Sequence, residues 1–321
     1  MEEQKVSGKI NRVAVTGAAG FIGSHTCEGL LDAGKTVIGI DNLSTGKRIN
    51  LKGIGRHERF SFFQADICQE DAMAAILGDF QPDAVIHLAA LVSVPIAEND
   101  PDENYRINVL GTKIVAQAAL RASARRMVFA SSAAVYGNSD QLPLSEEGPT
   151  QPINQYGMAK LEAETLLLSY NENPGMTPTC LRFFNVYGPR QDPTSPYSGV
   201  ISIFADLCAS GRPVTVYGDG RQDRDFIFIK DITRGIITSA TNPELPGGIY
   251  NLCTGQGKTL LELLDALKEI YPGMPPPVFK GERVGDIRHS LGNPSAARRI
   301  LGFEATTSLA AGIHELQNEE K

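Results

Sequence analysis

The stretch "RVAVTGAAGFIG" at residues 12–23 sets an unbroken apolar run directly before three spaced glycines and a helical pattern. Few folds accept that order. A strand that is continuously apolar, rather than alternating, belongs in a parallel sheet covered on both faces. The spacing predicts a helix from Phe21 to Ala33 and a second strand, "TVIGID", at 36–41, which completes a β-α-β unit. The alternation continues with strands at 60–66, 84–90 and 126–132 and helices over 71–80 and 104–123. A doubly wound α/β sheet is therefore expected over residues 1–180, with a smaller α/β domain over 181–321 that crosses back in part to the sheet. The Pro/Gly-rich stretches "GPRQDPTSPYSG" and "YPGMPPPVFKGERVGD" predict long functional loops in the second half.

Composition narrows the partners. With 37 acidic against 30 Lys and Arg residues, the chain carries a formal charge of −7, which argues against a nucleic-acid face. No apolar run is long enough to cross a bilayer, and the charged start "MEEQKVSGKINR" does not resemble a signal peptide, so a cytoplasmic protein is expected. Five dispersed cysteines without a C-x-x-C pair, and five histidines without ligand spacing, predict neither disulfides nor a metal site.

The glycines divide the work of holding a pyrophosphate. Gly17 permits the turn, Gly20 lets the backbone approach the anion, and Gly23 allows close helix–sheet packing, while the helix N-terminus offers free amides. Asp41, at the end of the second strand, is placed to accept both ribose hydroxyls and to repel a 2′-phosphate. NAD is favoured, with Lys47 and Arg48 keeping NADP open as an alternative.

In "QYGMAK", Tyr156 and Lys160 are one helical turn apart and share a face. An isolated Y-x-x-x-K is ordinary helix surface; beside a dinucleotide turn, it predicts a base whose pKa the ammonium draws down. Ser132 ends the fifth strand at the ligand-binding edge of the sheet, where its hydroxyl can relay a proton to Tyr156. Ser131 reads as a loop or cap serine, and Tyr136 as a packing or substrate-wall residue.

"TGAAGFIG", Asp41, "HLAA" at 87–90, Ser132 and "YGMAK" together resemble the extended short-chain dehydrogenase/reductase superfamily, and "RFFNVYGPR", "YGDGRQDRDFIFIKD" and "GERVGD" resemble its nucleotide-sugar branch. The resemblance implies a Rossmann fold, bound NAD, and a homodimer formed through the helices containing "NYRINVLGTKIVAQAAL" and "YGMAKLEAETLLL". It implies that Phe21, Ile22, Asn42, Asp66, Ile67, Leu88, Ala89, Ala90, Phe183 and Val186 join the glycines, Asp41, Tyr156 and Lys160 around the cofactor. Around a UDP-sugar it implies Ser132, Asn185, Val200, Thr215, Tyr217, Arg224, Arg283, Asp286 and Ser290.

Ala133 and Ala134 stand where the similar sugar dehydratases carry an acid and a base, so the chain resembles the UDP-hexose 4-epimerases instead. Ser290 stands where glucose/galactose enzymes carry a bulky tyrosine, unless the loop slips by one residue and His289 or Leu291 takes the place. Val92 replaces a lysine near the nicotinamide. These departures imply UDP-GlcNAc and UDP-GalNAc as substrates, with UDP-glucose/UDP-galactose or UDP-glucuronate as alternatives. A one-way NAD oxidoreductase and an NAD-binding regulatory module are the readings from other classes.

Overall fold

The computed structural model describes residues 8–172, 175–194, 199–282 and 287–319. Strands β1 (Arg12–Thr16), β2 (Thr36–Asp41), β3 (Phe60–Gln64), β4 (Ala84–His87), β5 (Arg126–Ser132) and β6 (Thr177–Phe183) form most of a seven-stranded parallel sheet. After the short β7 (Asn185–Tyr187), β8 (Thr215–Tyr217) and β9 (Asp223–Phe228), the chain returns to add β10 (Gly248–Leu252) beside β6. The sheet order is β10-β6-β5-β4-β1-β2-β3. Strands β11 (Gly257–Thr259), β12 (Val278–Lys280) and β13 (His289–Ser290) complete the smaller half: β11, β7 and β13 pair with β9, and β12 with β8.

The helices are α1 (Phe21–Asp32), α2 (Glu70–Phe80), α3 (Val94–Asn99), α4 (Pro101–Tyr105), α5 (Thr112–Arg121), α6 (Gln155–Leu168), α7 (Val200–Ala209), α8 (Ile229–Thr241), α9 (Leu260–Ile270), α10 (Ser295–Leu301) and α11 (Leu309–Glu319). Two apolar layers flank the large sheet. One unites Val13, Val15, Leu30, Ile86, Ile232 and Ile236; the other unites Ile38, Val85, Val115, Met127, Ala163 and Leu167. A third core, around Phe204, Val216, Phe228 and Leu263, belongs to the smaller half.

Several expected boundaries move. The strand predicted at 84–90 ends at His87, because Leu88–Ala90 leave the ladder at the ligand edge. The strand expected at 60–66 stops at Gln64, and the helix expected over 104–123 begins at Pro101 and passes through a π-helical segment at 106–111. The expected division at 180/181 falls inside β6, and β10 with α8 packs against the first half. The expected crossing back to the sheet is thus made by β10, while periodicity alone carries no record of which strand returns. No helix among the described residues is long and apolar enough to cross a membrane.

Candidate active site

The carboxyl ends of β1, β2, β4, β5 and β6 bring the candidate residues to one edge of the sheet. At the first turn Gly17 takes φ +70, a conformation that costs glycine nothing. A Cβ on Gly17 would lie 2.7 Å from the Ala89 nitrogen, and one on Gly20 would meet the Gly17 carbonyl at 3.1 Å. Gly20 is the N-cap of α1 and contributes no side-chain oxygen, so the first amides of the helix lack a side-chain cap. A backbone cradle of this shape, open to an anion, fits the pyrophosphate of a dinucleotide.

Asp41 is buried at the end of β2. Its Oδ2 accepts from the Ala19 amide at 2.9 Å and its Oδ1 from the Leu43 amide at 2.7 Å. The carboxylate therefore ties the glycine turn to the second strand, and each oxygen keeps a lone pair for a ribose hydroxyl. Burial pushes its pKa up, partly offset by those two amides. The basic neighbours are committed elsewhere: Lys47 pairs with Asp192 at 2.5 Å, while Arg48 bonds Gln64 at 3.0 Å and lies 4.9 Å over the Phe62 ring. That arrangement favours the unphosphorylated ribose and weakens the NADP alternative. Asn42, next in the chain, accepts from the Ser44 amide at 3.0 Å.

Farther along the edge, Asp66 accepts from the Cys68 amide at 2.9 Å, and Ile67 is buried beside it. The Leu88 and Ala89 amides hold Thr16 at 3.2 and 3.3 Å, which fixes the segment 88–90 beside the glycine turn. Phe21 and Ile22 open α1, Phe183 is buried at the end of β6, and Val186 packs against two of the cores.

Ser132 and Tyr156 do meet. The Ser132 hydroxyl hydrogen-bonds the Tyr156 phenol and also accepts from the Ala134 amide at 3.2 Å, capping the turn at 133–136. Asn154 caps α6 through the Gly157 amide, setting Tyr156 in its first turn. Tyr136 has the packing role expected of it, with its hydroxyl 2.7 Å from Asn251.

Two expectations need correction. Lys160 turns its Nζ to the Ala130 carbonyl at 2.9 Å and lies 5.8 Å from the centre of the Tyr156 ring. Burial pushes Lys160 down to about 7, and it pushes Tyr156 up rather than down, with only the Ser132 bond acting in the opposite direction. Burial thus weakens the ammonium on which a lowered phenol pKa would depend, and Glu164 opposes that burial. Ser131, expected as a loop or cap serine, is buried and donates to the Glu164 carboxylate.

In the smaller half, Asn185 donates to the Asp225 carbonyl at 3.4 Å, and Arg224 donates to the Asp223 carbonyl at 2.7 Å. Thr215 and Tyr217 lie on β8, and Val200 opens α7. Ser290 is buried in β13, paired with Arg224 of β9, and its amide donates to Asp223 at 3.3 Å. Arg283 and Asp286 lie outside the described residues. No cluster of three or more metal-ligating side chains occurs among the described residues.

Three groups were not legible in the sequence. Asp225 is buried and accepts from Thr254, Gly255 and Gly292, thereby joining β9 to the segments that follow β10 and β13. Arg190 reaches back to Glu28 at 2.8 Å and braces the loop after β7 against α1. His87 is buried between the Thr16 hydroxyl at 2.7 Å and the Thr112 hydroxyl at 3.0 Å, and burial drives its pKa down to about 3. A run of four letters, "HLAA", says nothing of the two threonines, which come from other elements.

The histidine has a consequence for stability. Its folded pKa lies below the unfolded value of about 6.5, so the unfolded chain takes up a proton first on acidification, and stability falls from pH 6.5 downward. Between pH 7 and pH 5, this group costs about 2 kcal/mol. Urea titrations at both pH values should show that loss in the native protein and not in His87→Asn.

Residues 13–253 match the NAD dependent epimerase/dehydratase family. The chain is 36% identical over 303 residues to the UDP-glucose 4-epimerase of Mycolicibacterium smegmatis, covering 94% of this chain and 96% of the relative. Among solved structures, the UDP-N-acetylglucosamine 4-epimerase of Methanobrevibacter ruminantium, in complex with UDP-N-acetylmuramic acid, superimposes with a TM-score of 0.91 at 34% identity, covering 98% of this chain and 100% of that one. The UDP-glucose 4-epimerase of Thermus thermophilus, in complex with NAD, gives 0.85 at 35% identity over 96% of this chain and 98% of that one. With the glycine cradle, the buried Asp41 and the Ser132–Tyr156 pair on the same sheet edge, these matches establish that the chain belongs to the NAD-dependent epimerase/dehydratase family and takes NAD as its cofactor.

Proposed function

We propose that the protein is a UDP-sugar 4-epimerase that interconverts UDP-GlcNAc and UDP-GalNAc. The carrying observation is the site around Ser132: one phenol, one hydroxyl and one lysine, followed by Ala133 and Ala134, which hold no proton-transferring group. An elimination of water would need a further acid and base there. Proton transfer to and from a single sugar hydroxyl needs only what is present.

Tyr156 would take the proton of the 4-hydroxyl and later return it, with Ser132 holding the same oxygen by hydrogen bond. Bound NAD supplies the hydride acceptor for carbon 4 and a positive charge that favours the phenolate. Lys160, pinned to Ala130, would hold the nicotinamide ribose. Asn185, Val200, Thr215, Tyr217, Arg224, Arg283, Asp286 and Ser290 would hold the UDP-sugar, the guanidinium forks taking the diphosphate.

The preference for an N-acetylated sugar rests on Ser290. Its side chain on β13 is far smaller than a tyrosine, and its pairing with Arg224 sets it beside a diphosphate-binding candidate. Ser290→Tyr should therefore suppress conversion of UDP-GlcNAc by about 10-fold or more while sparing UDP-glucose, as measured by comparing kcat/KM for the two sugars. Equal loss on both would show that the residue does not read carbon 2.

The same reading makes the protein a cytoplasmic homodimer. Its support is the set of exposed apolar side chains on the helical layer formed by α4, the 106–111 segment and α6: Tyr105, Leu110 and Met158 are 43%, 41% and 47% exposed. Five unpaired thiols suit a reducing compartment. Sedimentation analysis of the native protein and Leu110→Asp tests the dimer.

The function itself is tested by incubating the protein, without added NAD, with UDP-GlcNAc, UDP-glucose and UDP-glucuronate and following the anomeric protons by NMR. Conversion of UDP-GlcNAc to its 4-epimer, faster than any change in the other two, is expected. Absence of any 4-epimer after NAD is supplied would overturn the reading, and net NADH formation would point to a one-way oxidoreductase.

A further inference from the structure

Three consecutive residues at the end of β5 each hold one polar residue from a single stripe of α6. Ala130 takes the Lys160 ammonium on its carbonyl at 2.9 Å, Ser131 donates to the Glu164 carboxylate, and Ser132 bonds the Tyr156 phenol. Tyr156, Lys160 and Glu164 lie at i, i+4 and i+8, so one face of the helix brings three successive turns to the end of the strand, although not in the strand's own order. Two of these rungs contain catalytic candidates. The third is not used by any step proposed above.

That third rung is anchored from behind. Arg182 on β6 grips Glu164 with two bonds, Nε to Oε1 at 2.9 Å and Nη2 to Oε2 at 2.7 Å. Its guanidinium lies 4.7 Å over the Tyr136 ring, whose hydroxyl continues to Asn251 on β10. Glu164 is 1% and Arg182 2% exposed. Removing both charges from water costs several kcal/mol per ion, and apolar residues of equal volume usually fill such a space at least as stably. Stability alone is thus a poor reason for the pair to be where it is.

We propose that Ser131, Glu164 and Arg182 form a positioning unit for the reaction, fixing the spacing of Ser132, Tyr156 and Lys160 and setting a buried carboxylate one helical turn beyond Lys160. The groups facing Lys160 are Glu164 and Tyr156 from its own helix, Cys180 from β6 and the neutral His87 from β4, with Arg182 beyond Glu164. Burial works against the ammonium, and Glu164 is the largest influence in its favour. Loss of that carboxylate releases the proton from Lys160 at lower pH and leaves the phenol of Tyr156 without a neighbouring cation.

The inference rests on the epimerase reading for its kinetic arm only. The variant to make is Glu164→Gln/Arg182→Gln, which leaves neither charge stranded. The alkaline limb of its kcat profile should move down by about one pH unit, with kcat at pH 8 reduced about 10-fold and KM for the sugar within about two-fold. Tyrosinate difference titration, native minus Tyr156→Phe and double variant minus the same variant carrying Tyr156→Phe, should show Tyr156 ionising at higher pH without the pair. The titration needs no turnover, so it decides the proposal even if no sugar is epimerised. A lowered melting temperature with superimposable pH profiles and tyrosine titrations would overturn it. If the double variant does not fold, Ser131→Ala keeps the ion pair and cuts one rung: a several-fold fall in kcat at constant KM supports the unit, and an unchanged kcat overturns it.

Discussion

Tyr156→Phe should lose about 10³-fold in kcat for 4-epimerisation and still retain its NAD, because general acid–base groups contribute on the order of 10²–10⁴. The substitution removes one oxygen and leaves the ring. The phenol's protein partner is Ser132, which keeps its bond from the Ala134 amide at 3.2 Å, and the ring remains in the first turn of α6 beneath the Asn154 cap. Fold and sugar binding should therefore survive, and the loss should fall on kcat rather than KM. Single-turnover NMR of the anomeric protons, with the NAD content of each preparation measured after denaturation, separates chemistry from cofactor loss. A variant retaining more than a tenth of native kcat would remove Tyr156 from the proton path and shift attention to Ser132.

The contrast between Tyr156 and Lys160 shows what a spacing can and cannot convey. The four-residue interval correctly put both side chains on one helical face beside the cofactor edge, because the α-helix repeat is local and fixed. Whether the ammonium lowers the phenol's pKa depends on how many atoms surround each group, and those come from β4, β5 and β6. Burial turned out to outweigh the charge. The serine pair divides in the same way: the place of Ser132 at the end of the strand already pointed to the phenol, whereas only the packing of α6 assigns Ser131 to Glu164. Asp41 was legible because its task follows from its place in a β-α-β unit, although its bond to the Ala19 amide was not. Long-range brackets such as Asp225 to Gly292, or Arg190 to Glu28, join residues that no local pattern relates.

Gly23→Ala should drive a methyl group into the backbone of the phosphate turn. A Cβ at this position would lie 2.0 Å from the Gly17 carbonyl oxygen, 2.8 Å from the Gly17 carbonyl carbon and 2.9 Å from the Ala18 Cα. All three are backbone atoms of the phosphate turn, so no side chain can rotate away; the helix or the turn must move. The turn has little freedom, since Gly17 already holds φ +70, the Ala19 amide is fixed to Asp41 and the Lys47 amide to the Ala19 carbonyl at 2.9 Å. Displacing α1 instead would open its packing on β1 and α8, at a cost of about 1–3 kcal/mol. Either movement pulls the helix amides out of register with the pyrophosphate, whose binding depends on all of them acting together. The variant should be purified without NAD, take it up at least about 100-fold more weakly than the native protein, and be inactive until NAD is added in large excess. Equilibrium dialysis against NAD, with urea unfolding of the cofactor-free forms, measures both effects separately. Native affinity in Gly23→Ala would mean that the anion is held by side chains rather than by the turn, and the glycine triplet would lose its claim to the cofactor.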